Sequence, residues 1–322
     1  MRVLMGHRTD GAWDHLAALL PGWEITSCPP AELAGHLDGV DVVCPIMAPV
    51  GPDVLAAGSF GLVQQYGAGT ERVDVPAATA HGVWVARLPA DLTGNADSVA
   101  ELAVLHVLAG VRRLGEARSA LHEGRWASPV AAPLFGSTVL VVGLGAVGLA
   151  VTRRLAGFDV RVTGLRAHTE LGAPEGVAQV AGPGDLHAAV AEADVVVCCA
   201  PLDQGTRSMF DAAAFGAMKS GTVFVNVARG GLVDEAALLE ALESRRVAAA
   251  GLDVFAGEPD EHDGPLQRHP RVIGTPHIAG VTRSALQRSA ELFADNLRRF
   301  ECGRPPRWVV NEPTDDARQS RR

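Results

Sequence analysis

Four polar residues stand where short apolar runs end, and their types are those of carbonyl chemistry. Residues 223–227 lead into Ala228-Arg229-Gly230-Gly231. Residues 248–252 lead into Asp253, with Glu258 following in Val254-Phe255-Ala256-Gly257-Glu258-Pro259. Residues 271–273 lead into Gly274-Thr275-Pro276-His277-Ile278-Ala279-Gly280. Reduction of a carbonyl needs a proton donor at its oxygen, and histidine, with a reference pKa of about 6.5, suits that task near neutral pH. A Glu258 carboxylate beside His277 would favour the protonated imidazole and hold its orientation. Arg229 can grip a carboxylate through two hydrogen bonds and polarise the neighbouring carbonyl. Asp253 can accept from a carboxamide on a bound ligand. Each residue also has a plainer use: Arg229 in a structural ion pair, Glu258 as a turn residue before Pro259, His277 as a satisfied loop histidine. Convergence decides between them. Ligands of open α/β sheets sit outside the carboxyl ends of the strands, which is where all four are expected.

A second motif supplies a place for a cofactor. The apolar residues 139–142 lead directly into Gly143-Leu144-Gly145-Ala146-Val147-Gly148 and then into a helical pattern over residues 149–155. A lone Gly-x-Gly-x-x-Gly is weak evidence, but between a buried strand and a helix it is strong. Gly143 permits a tight turn, Gly145 lets the backbone approach a pyrophosphate, and Gly148 allows close helix–strand packing. The helix N-terminus adds amide donors and a positive dipole end. An NAD site should also carry an acidic residue at the end of the second strand. Here that strand ends Val162-Thr163-Gly164-Leu165-Arg166, with His168 and Thr169 close behind; Asp159 precedes it and lies at the wrong edge. A guanidinium at Arg166 favours a 2′-phosphate, so the reading is NADP over NAD. The alternative is that Arg166 stacks on the adenine and leaves the two cofactors poorly distinguished.

The elements that must position these groups follow from the spacing. Residues 1–6, 40–43, 62–65 and 83–86 read as short strands separated by helix-sized connections, the pattern of a parallel α/β sheet. A helix is expected over residues 98–114, with Ser98 and Glu101 as its capping box, followed by an extended arm over residues 123–137 that contains Trp126. From Thr138 a second α/β pattern begins, with strands at 139–142, 160–163, 195–199, 223–227, 248–252 and 271–273. Asp234 should cap a helix reaching about Glu243, with Arg245 and Arg246 near its negative end. A last helix spans residues 282–301, stopped by Gly303, and a frayed polar tail is expected after Asn311.

Composition narrows the class. The chain has 322 residues, 48% of them hydrophobic, which supports two globular domains and argues against disorder. A formal charge of −9 speaks against nucleic acid as the main partner. No apolar run reaches the roughly 18 residues of a membrane span and none has a secretory pattern, so the default expectation is a cytoplasmic protein without a membrane partner. Cys28, Cys44, Cys198, Cys199 and Cys302 lack zinc spacing, and no metal site is expected. Lys219 is the only lysine and sits in a helix-to-turn context, which excludes most lysine-based catalysis.

The segments GLGAVG, NVARGGLVDEAAL, AGLDVFAGEP and TPHIAG, in this order, closely resemble those of the D-isomer-specific 2-hydroxyacid dehydrogenases. QQYGAGTERVD and GNADSVAELAV extend the resemblance over nearly the whole chain. It implies an α/β fold of two Rossmann-like or flavodoxin-like domains with parallel sheets. The substrate-binding domain would comprise residues 1–97 and 285–322, with the dinucleotide-binding domain, residues 98–284, inserted. It also implies a homodimer joined through the nucleotide domains, and hydride transfer between NAD(P)H and the C2 carbonyl of a small 2-oxo acid. Activities of the glyoxylate–hydroxypyruvate reductase or phosphoglycerate dehydrogenase kind fall in this class.

Carried over by position, Arg229 binds substrate, Glu258 is the partner carboxylate and His277 is the acid/base. Gly67, Ala68 and Gly69 offer backbone amides to the substrate carboxylate. Val99, Gly143, Leu144, Gly145, Ala146, Val147, Gly148, Arg166, His168, Thr169, Pro201, Thr206, Val227, Ala228, Arg229, Asp253, His277, Ala279 and Gly280 are the expected cofactor-binding positions. Two departures stand out: Arg166 occupies a position that is acidic in NAD-dependent members, and Tyr66 stands where many members have a small residue. Glu258 counts against formate oxidation, where related enzymes carry glutamine, and the absence of lysine near Gly67 counts against phosphite oxidation. The substrate side chain should be read by loops such as residues 44–50, which include Met47. The competing reading from another class is an NAD(P)(H)-sensing corepressor or scaffold on the same fold.

Overall fold

The computed structural model describes residues 1–7, 14–258 and 263–314. The chain divides into two compact units, Met1–Gly94 with Arg283–Arg322, and Asn95–Thr282. Pro259 and residues 315–322 of the expected frayed tail fall outside the described residues.

The first unit is built on five parallel strands: β1 (Arg2–Met5), β2 (Glu24–Ser27), β3 (Val42–Cys44), β4 (Leu62–Gln64) and β5 (Trp84–Ala86), in the order β2-β1-β3-β4-β5. Side chains alternate across the sheet, so Leu4, Val43, Val63 and Val85 enter one core while Val3, Val42, Cys44 and Leu62 enter the other. The helix Arg283–Glu301 closes the second core with Ala290, Phe293, Ala294 and Leu297, spaced to share one helical face. It is pinned by a buried polar pair, the Asn296 amide donating to Gln64 Oε1 at 2.7 Å. Strand β2 was not expected from the sequence. It is a partly exposed edge strand, Glu-Ile-Thr-Ser, with no apolar run to signal it.

The second unit carries seven parallel strands: β6 (Thr138–Val142), β7 (Arg161–Leu165), β8 (Gln179–Ala181), β9 (Val195–Cys198), β10 (Thr222–Asn226), β11 (Val247–Leu252) and β12 (Val272–Gly274). Their order is β12-β11-β10-β9-β6-β7-β8, which reverses direction between β6 and β9. That is the doubly wound order whose crevice at the reversal accepts dinucleotides. β8, an edge strand that is partly exposed, was again invisible to periodicity. Asp234 caps the helix Glu235–Glu243 as expected, its carboxylate accepting the amides of Ala236 and Ala237.

The expected helix over residues 98–114 is corrected. It runs Asn95–Val111, so Ser98 lies inside it and cannot cap it; the Ser98 hydroxyl instead meets that of Thr282 at 2.9 Å. It stops before Arg113, whose φ of 51° is left-handed, and a separate helix, Leu114–His122, begins there. The arm that follows has neither helix nor strand and exposes Trp126, Val130 and Phe135. Among the described residues, no helix is long and apolar enough to cross a membrane, and no cluster of His, Cys, Asp and Glu could hold a metal ion. All five cysteines are free; Cys198 is buried in β9, which pushes its thiol up to about 12.

Candidate active site

The carboxyl edge of the seven-stranded sheet collects most of the sequence-selected residues of the second unit. Gly143 follows β6, Arg166 follows β7, Pro201 lies just beyond β9, Val227 to Arg229 follow β10, Asp253 follows β11, and His277 to Gly280 lie beyond β12. Lys219 sits at the other edge, before β10, with its ammonium 2.8 Å from Asp194.

The glycine loop has the steric demands its sequence implied. Gly143 has φ +95°, and a Cβ there would stand 2.6 Å from the Ala200 backbone nitrogen. A Cβ on Gly148 would lie 1.9 Å from the Gly143 carbonyl oxygen, so only glycine lets the helix Ala146–Leu155 start so close to β6. Gly145 differs: nothing stands within 4 Å of its would-be Cβ. The N-cap of a ten-residue helix therefore opens onto free space beside Leu144, Ala146 and Val147, as a cradle for a pyrophosphate requires. The arrangement fits the dinucleotide phosphates.

Beyond β7, Arg166 is half-buried while His168 and Thr169 are exposed. Sequence reasoning missed Glu170. Its carboxylate lies 3.0 Å from His168 Nδ1, and its own backbone N–H, then His168 and Arg166, hold it below the usual carboxylate range. The basic pair therefore already shares one acidic neighbour. Near β9, the Thr206 hydroxyl is 2.8 Å from the Pro201 carbonyl oxygen, closing the turn that follows.

Arg229 is positioned by a buried asparagine that the sequence reading passed over. Asn226, 1% exposed, accepts the Ala228 amide at 3.0 Å and donates to the Arg229 carbonyl at 2.9 Å. Its signal was present: an asparagine closing an apolar strand must find partners for its amide. Gly230 then presses on the β11 turn, where a Cβ would meet the Phe255 carbonyl carbon at 2.0 Å. The turns after β10 and β11 are thus in direct backbone contact.

His277 and Glu258 meet directly. The imidazole Nδ1 lies 2.8 Å from Glu258 Oε1, while Oε2 accepts the Phe255 amide at 3.1 Å. An ionised carboxylate only accepts, so Nδ1 carries the hydrogen and Nε2 is left for proton exchange with a ligand. The Glu258 side chain is 16% exposed against 38% for His277, so the carboxylate backs the ring while the ring reaches solvent. His277 has φ +53°, a left-handed conformation that non-glycine residues hold only when neighbours impose it.

Asp253 is the main neighbour imposing it. Only 1% exposed, it accepts the Thr275 hydroxyl at 2.6 Å and the Ile278 amide at 2.9 Å on Oδ1, and the Ala279 amide at 2.9 Å on Oδ2. Its backbone carbonyl accepts the His277 amide at 2.8 Å. The carboxylate expected to face a carboxamide is therefore spent largely on the loop that carries His277. Gly280 packs on the start of the helix Asn95–Val111, where a Cβ would meet Asn95 Nδ2 at 2.0 Å, and Val99 lies one turn further along that helix.

In the first unit, Gly67, Ala68 and Gly69 follow β4. The Gly67 carbonyl accepts the Leu88 amide at 2.9 Å and that of Ala68 accepts from Arg87 at 3.3 Å. Among the described residues, the amides of these three donate to no protein group, so they are available to a ligand or water. Tyr66, just before them, packs against Phe293 with ring centroids 5.3 Å apart and has its hydroxyl 3.2 Å from His15 Nε2.

Comparison with known proteins adds an independent line. The family model described as "D-isomer specific 2-hydroxyacid dehydrogenase, NAD binding domain" matches residues 104–279. A glyoxylate reductase of Thermofilum pendens is 34% identical over 263 residues, covering 80% of this chain and 76% of that protein. A D-3-phosphoglycerate dehydrogenase of Archaeoglobus fulgidus is 34% identical over 264 residues, 81% of this chain but 49% of that protein. The chain thus spans about half the length of that phosphoglycerate dehydrogenase. An NAD-dependent formate dehydrogenase of Staphylococcus aureus, solved with NAD, superposes with a TM-score of 0.86 at 26% identity, covering 98% of this chain and 100% of that one.

Proposed function

The chain belongs to the D-isomer-specific 2-hydroxyacid dehydrogenase family, and we propose that it transfers a hydride between NAD(P)(H) and C2 of a small 2-oxo or 2-hydroxy acid. The observation that carries the proposal is the 2.8 Å contact of His277 Nδ1 with Glu258, which leaves Nε2 to exchange a proton with the substrate oxygen. When bound, the nicotinamide supplies or accepts the hydride; the protein supplies binding, orientation and the proton.

In reduction, His277 holds a proton at Nε2 for the oxygen formed at C2, and Glu258 balances the imidazolium charge. Arg229, held by Asn226, binds the substrate carboxylate and polarises the adjoining carbonyl. In the first unit, the amides of Gly67, Ala68 and Gly69 are the proposed donors to a substrate carboxylate. Asp253 keeps the His277 loop in place. In oxidation, His277 takes the hydroxyl proton instead.

Gly143 to Gly148 would hold the pyrophosphate. Arg166 supports NADP over NAD, although the nearby Glu170 carboxylate, 3.0 Å from His168 Nδ1, weakens the pull on a second anion there. Val99, Thr169, Pro201, Thr206, Val227, Ala228, Ala279 and Gly280 complete the proposed cofactor surface. The largely exposed Trp126, Val130 and Phe135 support a homodimer formed by the second unit, which would cover them. Free thiols throughout accord with a cytoplasmic setting. The relatives described above bear enzyme names, which supports turnover rather than a corepressor or scaffold role.

The test is a steady-state screen of glyoxylate, hydroxypyruvate, pyruvate and larger 2-oxo acids against both NADPH and NADH. Turnover with at least one acid, and higher kcat/KM with NADPH, is expected. Tight cofactor binding without turnover of any acid would overturn the enzyme reading, and preference for NADH would overturn the cofactor assignment.

A further inference from the structure

His106 lies in the helix Asn95–Val111, is 1% exposed, and has no part in the chemistry above. β11 makes room for it at Gly251, where a Cβ would stand 2.4 Å from the His106 Cβ. Its Nε2 is 3.1 Å from the Thr275 hydroxyl, which is itself 2.6 Å from Asp253 Oδ1. Its Nδ1 is buried and has no hydrogen-bond partner among the described residues.

Counting protons fixes the direction of this chain. The Thr275 hydroxyl has one hydrogen, and the Asp253 carboxylate, already accepting the amides of Ile278 and Ala279, can only accept. Thr275 therefore donates to Asp253 and must accept from His106. His106 is thus the Nε2–H tautomer, and the unpartnered Nδ1 carries a bare lone pair. A proton there would leave a buried charged donor with nothing to bond, which is far worse than an idle lone pair. Burial pushes this imidazole below its ordinary value, while Asp253 pulls weakly the other way.

We infer that His106, Thr275 and Asp253 form a one-way hydrogen-bond chain that fixes the left-handed loop bearing His277, with His106 as a positioning residue for the reaction. Without His106 the Thr275 hydroxyl can rotate away from Asp253, and the carboxylate loses the constraint that aims it at Ile278 and Ala279. A histidine filling core space alone would need no directed donor. The kinetic part of the inference rests on His277 being the proton carrier; the structural part does not.

The test is amide hydrogen exchange at Ile278 and Ala279 in the unliganded protein, paired with steady-state kinetics. His106→Leu keeps the volume and removes the donor, while His106→Gln keeps a donor in place of Nε2. In His106→Leu, exchange at both amides should rise about tenfold and kcat fall about tenfold, with cofactor KM within about twofold of wild type. His106→Gln should recover most of both effects. Thr275→Val should reproduce the leucine phenotype, and the double variant should be no worse than either single one. If His106→Leu does not fold, Thr275→Val against Thr275→Ser decides by the same exchange readout. Unchanged exchange at Ile278 and Ala279, or fully additive effects of His106→Leu and Thr275→Val, would overturn the inference. A wild-type protein inactive on every 2-oxo acid would refute the enzyme reading and leave the exchange result standing.

Discussion

His277 and Glu258, 19 residues apart, meet through one hydrogen bond of 2.8 Å between Nδ1 and Oε1. The second carboxylate oxygen is anchored at the Phe255 amide, so the glutamate is held on the turn it comes from while it orients the ring. The contact sets which ring nitrogen faces a ligand.

Glu258→Gln tests that contact. The amide can still accept from Phe255, but it carries no charge and can present NH2 to Nδ1, stabilising the wrong tautomer. A fall in kcat on the order of 10²-fold is expected, with cofactor affinity little changed. Stopped-flow and steady-state rates with the preferred acid check it, and a kcat within about twofold of wild type would count against the pairing.

Much of this site was legible before any coordinates. Arg229, Asp253 and His277 each follow an apolar run, and parallel strands deliver such residues to one edge. What stayed hidden depends on tertiary packing. β2 and β8 are edge strands without an apolar run, so periodicity had nothing to detect. Ser98 and Glu101 mimic a capping box inside a helix that starts three residues earlier, at Asn95, directly after Gly94 with its left-handed φ of 73°. The structural task of Asp253 was hidden for a similar reason: its chain position gives no hint that Ile278 and Ala279 donate to its oxygens.

The glycines separate fold from binding. Gly148→Ala places a Cβ against the Gly143 carbonyl and should cost about 1–3 kcal/mol of stability together with cofactor affinity. Gly145→Ala meets nothing in the protein and has an extended φ of −82°, so its thermal unfolding should stay close to wild type. Its dinucleotide affinity should still fall about tenfold or more, since the methyl group enters the phosphate cradle. Calorimetry and a fluorescence titration distinguish the two.

Arg166 and Glu170 should act in opposite directions on cofactor choice. Arg166→Ala is expected to lower kcat/KM for NADPH about tenfold or more, with a smaller change for NADH. Glu170→Gln frees His168 and Arg166 from their shared acid and should shift the ratio towards NADPH. Parallel kinetics with both cofactors measure the ratio, and equal losses for the two would remove Arg166 from the 2′ position.

His106 gives the stability a pH dependence. Its folded-state pKa lies below the unfolded value, so the unfolded chain binds more protons in the interval between them and stability rises with pH there. The contribution is complete above the unfolded value of about 6.5 and is lost as pH falls towards the folded value. Urea unfolding at about pH 5 and about pH 8 should show a larger difference for the wild type than for His106→Gln. Equal differences would show that His106 is not held neutral by burial.

The most direct measurement is kcat for wild type and His277→Ala with the preferred 2-oxo acid, alongside the dissociation constant of the reduced cofactor for each. Loss of the proposed proton carrier should lower kcat on the order of 10²–10⁴-fold while cofactor affinity stays within a few-fold. Near-normal turnover by His277→Ala would contradict the assignment of His277 and Glu258 as the acid/base pair.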